Sequence, residues 1–243
     1  DFRERNRISL SVDMHQAYDA VKAWNPGWNG HFDIIGHSYG GLNARFYLES
    51  EYYRNDRDRF GIQVDDLFTL GSPHGGTSIG EELYPAAAAI GLPHLLSGFE
   101  APSALWLQDD AMTFYNLASR QPPDVCYRLI GGNFLLQPFI ILKAPLVYSL
   151  YHRNPVWTFP NDIGVSLRSS LALATSPTVL LSGKYPNVVA HANTDMHGYV
   201  SDYNWLLGLG DVESYVRSSD RSSKTFDDYI TPIATQPAIS MAA

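Results

Sequence analysis

The sequence predicts an α/β fold: a mostly parallel sheet covered by helices, with a helical cap or lid insertion. Three observations predict it. Short apolar runs that read as strands alternate with segments of helical spacing, one of those runs enters a glycine-rich turn and leaves directly into a helix, and two long apolar excursions interrupt the alternation. At 243 residues the chain has room for one sizeable domain carrying an insertion and too little for two comfortable ones.

The elements follow in order. Ser9 to Trp24 has apolar residues at Leu10, Val12, Met14, Ala17, Tyr18, Val21 and Trp24, close to helical spacing, and Asn25-Pro26-Gly27 stops it. This helix feeds a strand at Phe32–Ile35. Leu42 to Tyr53 reads as a second helix, with the charged stretch Arg54–Arg59 as its solvated exit loop. Val64–Leu70 is the next strand and ends at Gly71-Ser72-Pro73-His74-Gly75-Gly76-Thr77. Val125–Ile130, closed by Gly131-Gly132-Asn133, is a further strand, and Thr178–Leu181 another. A final helix and a polar tail follow Val212. The core is therefore assigned to residues 1–77 and 161–243 with the strand at 125–133, and cap or lid insertions to 78–124 and 134–160. Apolar insertions near the carboxyl ends of strands are where caps are built, although helices that only thicken the core fit the same composition.

Composition removes several function classes. The net charge is -8, and basic residues are scattered or, as in Arg54–Arg59, interleaved with aspartates, so nucleic acid is not an expected partner. Cys126 is the sole cysteine and lies in an apolar stretch, which reads as a buried small hydrophobe rather than a reactive thiol. The longest apolar stretch, Phe134 to Tyr151, is broken by Gln137, Pro138, Lys143 and Pro145 and reads as buried or interfacial rather than membrane-spanning. Asp1 to Arg7 is charged, with no apolar segment of a secretory signal behind it, and a mature secreted form would read the same way. No internal repeat marks a solenoid or propeller.

The chemistry is concentrated at Gly36-His37-Ser38-Tyr39-Gly40-Gly41. An apolar strand enters it and the helix Asn43-Ala44-Arg45-Phe46-Tyr47-Leu48 leaves it, which is the strand–nucleophile–helix order that exposes a serine hydroxyl on a tight turn. Flanking glycines would let strand and helix approach without a side-chain clash, and the turn would aim the Tyr39 backbone N–H at a developing oxyanion. A serine hydroxyl is a poor nucleophile at neutral pH, so Ser38 needs a histidine to take its proton and a carboxylate to orient that histidine. The expected chain order is Ser, then Asp or Glu, then His. Asp162, in the loop Asn161-Asp162-Ile163-Gly164-Val165, is the best placed acid; Asp109 and Asp110 precede the strand at 125 and read as helix-surface charges, and Asp65 and Asp66 sit on the wrong strand. His197 in Asp195-Met196-His197-Gly198 is the preferred base, with His191 as the alternative. His37 is expected to pack beside the turn, because a base adjacent in sequence to its nucleophile would point the other way. His74-Gly75-Gly76 reads as a structural turn, and Ser72 is disfavoured as nucleophile because Pro73 has no N–H to offer an oxyanion.

These residues resemble the lipase and esterase branch of the α/β-hydrolases. Gly-His-Ser-Tyr-Gly-Gly-Leu-Asn-Ala-Arg-Phe-Tyr at 36–47 is similar to that branch's elbow and arginine-containing helix, and Leu70–Thr77 is similar to the turn that bacterial triacylglycerol lipases carry after the following strand. The resemblance implies hydrolysis of carboxylic esters, with lipids bearing apolar acyl chains as substrate and lipid-interface contact as a further expectation. It implies an acyl-enzyme on Ser38, completed by Asp162 and His197, with Tyr39 as oxyanion donor and no catalytic cofactor. A structural calcium occurs in some relatives of this kind; Asp195 and Asp202 are only candidates for it. Acyl transfer or amide hydrolysis would use the same triad. The family's upstream strand and His-Gly loop, source of the second oxyanion N–H, have no counterpart in these residues, so the N-terminal strands are expected to be missing. A fragment, a substituting segment and an incomplete oxyanion hole are the readings this leaves, together with a non-catalytic hydrolase-like binding module.

Overall fold

A computed structural model describes residues 2–77, 109–132 and 165–193. The chain opens with α1 (Phe2–Trp24), which carries Glu4 in its first turn and Lys22 in its last, both favourable to the helix dipole. Met14 is its buried residue, and Leu10 and Tyr18 pack beside it on the core. The helix starts earlier than the apolar spacing predicted, because its polar first turns are fastened sideways: Arg7 Nε donates to the Phe46 carbonyl at 3.1 Å, and Tyr52 donates to Glu4 at 2.7 Å.

Four strands follow as one parallel sheet in the order β1 (His31–His37), β2 (Gln63–Leu70), β3 (Cys126–Gly132), β4 (Val188–Asn193). The register sets His37 beside Leu70, Leu70 beside Ile130 and Ile130 beside His191. Parallel pairing requires crossovers, and the helices supply them: α2 (Tyr39–Leu48) and α3 (Glu51–Asn55) between β1 and β2, and α4 (Asp109–Ala118) before β3. The short helices α5 (Leu167–Ser170), α6 (Ala172–Thr175) and α7 (Pro177–Leu181) precede β4. Tyr47, Tyr53, Val64, Leu67, Tyr127 and Leu129 form the centre of the core where these helices meet the sheet. A second cluster, Leu42, Phe46, Met112 and Tyr115, joins α2 to α4. The described part of the first insertion is thus a helix packed on the core. Cys126 is buried, and burial pushes its thiol up to about 11.

Three expectations about elements require correction. Thr178–Leu181 is helical and not a strand: Pro177 sits at the first turn, where its fixed φ and missing N–H suit a helix, and Gly183 with positive φ follows its end. The remaining strand is β4, in which Val188-Val189 is followed by residues of low strand propensity that the neighbouring β3 ladder overrides. Leu42–Tyr53 is two helices, because Ser50 leaves helical geometry and its side chain caps α3 by accepting from the Tyr52 N–H. The Arg54–Arg59 loop is also helical: α3 runs on into a π-helical turn, Asp56–Phe60, which ends at left-handed Gly61. That turn carries Asp56 inward, where its carboxylate accepts from Ser11 at 2.7 Å and Tyr47 at 2.9 Å and pairs with His15 at 2.9 Å. No described helix is long and apolar enough to cross a membrane, and Phe134–Tyr151 lies outside the described residues.

Candidate active site

Ser38 stands at the carboxyl end of β1, between the strand and the first residue of α2, with φ 51° and ψ -125°. It is the one non-glycine residue with positive φ among the described residues, a conformation that costs about 1–3 kcal/mol and persists only where its surroundings hold it. Two backbone bonds do so. Ser38 N–H donates to the Leu70 carbonyl at 2.9 Å, tying the elbow to β2, and Gly41 N–H donates to the Ser38 carbonyl at 3.2 Å.

The approach of strand and helix explains two glycines and leaves a third unexplained. A Cβ on Gly36 would lie 2.5 Å from the Gly41 Cα and 2.6 Å from its nitrogen, both backbone atoms that cannot swing aside. A Cβ on Gly41 would come 2.1 Å from Ser72 Oγ and 3.1 Å from the Thr69 Cβ. Gly40 meets nothing within 4 Å. The steric demand expected of both glycines of Gly-x-Ser-x-Gly falls instead on Gly36 and Gly41, because the close approach is made by Gly41, three residues past Ser38, and not by Gly40.

Behind the elbow, the turn after β2 is fixed by a buried polar lattice. Arg45, fully buried on α2, donates through Nε to Glu49 at 2.8 Å and through Nη2 to Asn116 Oδ1 at 2.6 Å and to the Tyr185 hydroxyl at 2.7 Å. Burial alone would lower its pKa, but the Glu49 carboxylate raises it well above the ordinary arginine value. Its Nη1 faces His74 Nδ1 at 3.4 Å, and His74 Nε2 lies 3.0 Å from Thr69 Oγ1. An arginine can only donate, so Nδ1 is the acceptor and the proton sits on Nε2, giving a neutral imidazole. Burial and the adjacent guanidinium hold His74 well below the usual histidine range. Asn116 Nδ2 completes the frame by donating to the His74 carbonyl at 2.9 Å. His74-Gly75-Gly76 is accordingly a structural turn. Ser72 is completely buried and packs against Gly41, without the access a nucleophile needs. Burial lowers His37 to about 4, so this imidazole is neutral at pH 7.

Of the other candidate residues, Tyr39 is the first residue of α2, half-buried, its phenol pushed up to about 12 by burial. Asp162, His197, Asp195 and Asp202 lie outside the described residues. His191 lies in β4 and not in a loop, level with His37 across two intervening strands. Three strand spacings separate those backbone positions by about 14 Å. Asp65 and Asp66 lie on β2 near its amino end; Asp65 pairs with His31 at 2.8 Å and Asp66 with Arg128 at 2.7 Å. Among the described residues no group of three or more His, Cys, Asp or Glu side chains is arranged to hold a metal. Sequence reasoning missed the amino end of α1, which reaches the elbow through Asn6; no apolar spacing marks that end as helical.

No protein-family model matches the chain, and no curated protein matches its sequence. Solved structures do match its fold. The mature form of the Bacillus licheniformis lipase BlEst2 superposes with a TM-score of 0.51 at 16% identity, over 84% of this chain and 72% of that one. The propeptide form gives a TM-score of 0.54 at 16% identity, covering 98% of this chain and 42% of that one. At this identity the likeness is one of fold.

Proposed function

From an α/β-hydrolase fold of the bacterial lipase and esterase kind, we propose that the protein is a serine hydrolase that cleaves carboxylic esters, with apolar acyl chains as the favoured class. The observation that carries the reading is Ser38, held with φ 51° on a strand-to-helix elbow at the carboxyl end of a parallel sheet. Open α/β sheets bind their ligands at that end.

In the proposed reaction Ser38 Oγ attacks the ester carbonyl carbon while its proton passes to His197. The tetrahedral oxyanion is met by the Tyr39 N–H, and collapse expels the alcohol, which takes the proton from His197. Water then repeats the sequence on the acyl-enzyme and releases the acid. Asp162 would orient His197 and stabilise its charged form.

The described framework supports both partners. Asp162 falls between the carboxyl end of β3 and α5, and α5 docks on the turn after β2, where Gly75 N–H donates to the Ser169 carbonyl at 3.0 Å. His197 follows the end of β4 by four residues, in keeping with the expected order Ser, Asp, His.

Labelling with a fluorophosphonate and turnover of short-chain and long-chain esters test the proposal together. Wild-type protein is expected to label and turn over, and Ser38→Ala to do neither. Labelling that survives Ser38→Ala would sink it. Faster turnover of the long-chain esters is expected from the apolar class.

A further inference from the structure

We infer that Asn6 is a positioning residue for the oxyanion donor: by holding the Tyr39 hydroxyl from α1 it fixes the Ser38–Tyr39 peptide whose N–H meets the oxyanion. The inference rests on the ester-hydrolase reading above. Asn6 Nδ2 donates to the Tyr39 hydroxyl at 2.9 Å and to Asn43 Oδ1 at 2.8 Å, spending both amide hydrogens on positions i and i+4 of α2. Along its flank the Tyr39 ring packs against the cluster of Leu42, Phe46, Met112 and Tyr115. The side chain is thus gripped by apolar contact on its ring and by hydrogen bonding at its tip.

That grip matters because of what the elbow lacks. Ser38 occupies the N-cap of α2 without a side-chain capping bond, and the carbonyl that shares its peptide plane with the Tyr39 N–H is held by Gly41 at a long 3.2 Å. A tyrosine has two torsions between its backbone and its ring, so anchoring the hydroxyl leaves its own Cα little freedom. The Tyr39 side chain then acts as a lever that resists rotation of the peptide plane. An oxyanion donor is effective because it is aimed before charge develops. Releasing the lever slows the step that forms the oxyanion and leaves Ser38 and its base in place.

The second-order rate of fluorophosphonate labelling tests this on the full chain, for wild type, Asn6→Ala, Tyr39→Phe and the double variant, with thermal melts confirming that each is folded at the labelling temperature. Each single variant is expected to label about three- to tenfold more slowly, and the double no more slowly than the slower single, because both remove the same Asn6–Tyr39 bond. Tyr52→Phe removes a comparable tie to the same helix, the 2.7 Å bond to Glu4, and is expected to label at the wild-type rate. Wild-type rates in Asn6→Ala, losses that multiply in the double variant, or equal slowing by Tyr52→Phe would each overturn the positioning role while the hydrolase reading stands. A wild type that does not label at all overturns the hydrolase reading and this inference with it.

Discussion

Gly41 and Ser72 meet so closely that a Cβ on the glycine would lie 2.1 Å from the serine Oγ, which places the first turn of the elbow helix directly on the turn that follows β2. The elbow is therefore seated by packing as well as by the bond from Ser38 N–H to the Leu70 carbonyl.

An alanine scan of the three glycines follows from that seat. Gly36→Ala and Gly41→Ala each force backbone or buried atoms apart and are expected to lower stability by about 1–3 kcal/mol or more, with loss of labelling at Ser38. Gly40→Ala meets open space in a helical turn and is expected to fold at least as stably as wild type, with a gain of up to about 1 kcal/mol from helix propensity. Urea unfolding of the three variants checks the ranking, and a Gly40 variant as unstable as the other two would refute it.

The Arg45–Glu49 pair is completely buried, so its members are costly to separate. Arg45→Met leaves the Glu49 carboxylate buried without its cation and is expected to cost about 3–5 kcal/mol. Arg45→Met combined with Glu49→Leu removes both charges and is expected to regain a large part of that loss. Equilibrium denaturation of the two proteins measures the difference; equal losses would show that packing, and not the unpaired charge, dominates.

Stability should fall on mild acidification. His37 is lowered from 6.5 to about 4 by burial, and His74 is lowered well below 6.5 by burial and by Arg45. Below pH 6.5 the unfolded chain takes up protons that the folded chain refuses, so folding free energy declines as pH drops and the His37 part levels off below about pH 4. For His37 this amounts to about 2–3 kcal/mol across the window. Asp33, raised by burial and by Asp66 and Asp65, offsets part of the loss as it protonates in the folded state. Urea midpoints between pH 7 and pH 4 should decline, with a shallower slope in His37→Asn; a flat profile would contradict the assignment.

The two histidines after β3 are separable by activity. His197→Ala and Asp162→Asn are expected to reduce ester turnover about a thousandfold or more, as losses of base and orienting acid do. His191→Ala is expected to retain turnover within about tenfold, since its strand position is remote from Ser38. Steady-state rates on one soluble ester decide it, and the reverse ranking would transfer the base to His191.

The turn at Ser38 and the first three strands were legible because each depends on local pattern: an apolar run, a stop at glycine, and a helical segment close behind, read from Leu42 and found to start at Tyr39. The fourth strand was misplaced for a physical reason. Thr178–Leu181 and Val188–Val189 are both short and apolar, and periodicity cannot rank two such runs when Pro177 starts a helix at one and a ladder to β3 recruits the other. Asn6 was invisible because nothing in a polar helix end announces which distant side chain it will meet.

By itself the sequence determined the kind of fold and the serine on its elbow, since alternating strands and helices and a glycine-flanked turn are short-range signals. The tertiary structure decided which glycines are sterically required, that Arg45 and His74 are joined in one buried lattice, and that Tyr39 is held from α1. Those depend on approaches of a few ångströms between segments far apart in the chain. Burial then converts each approach into energy, because a polar group removed from water must find its partner there.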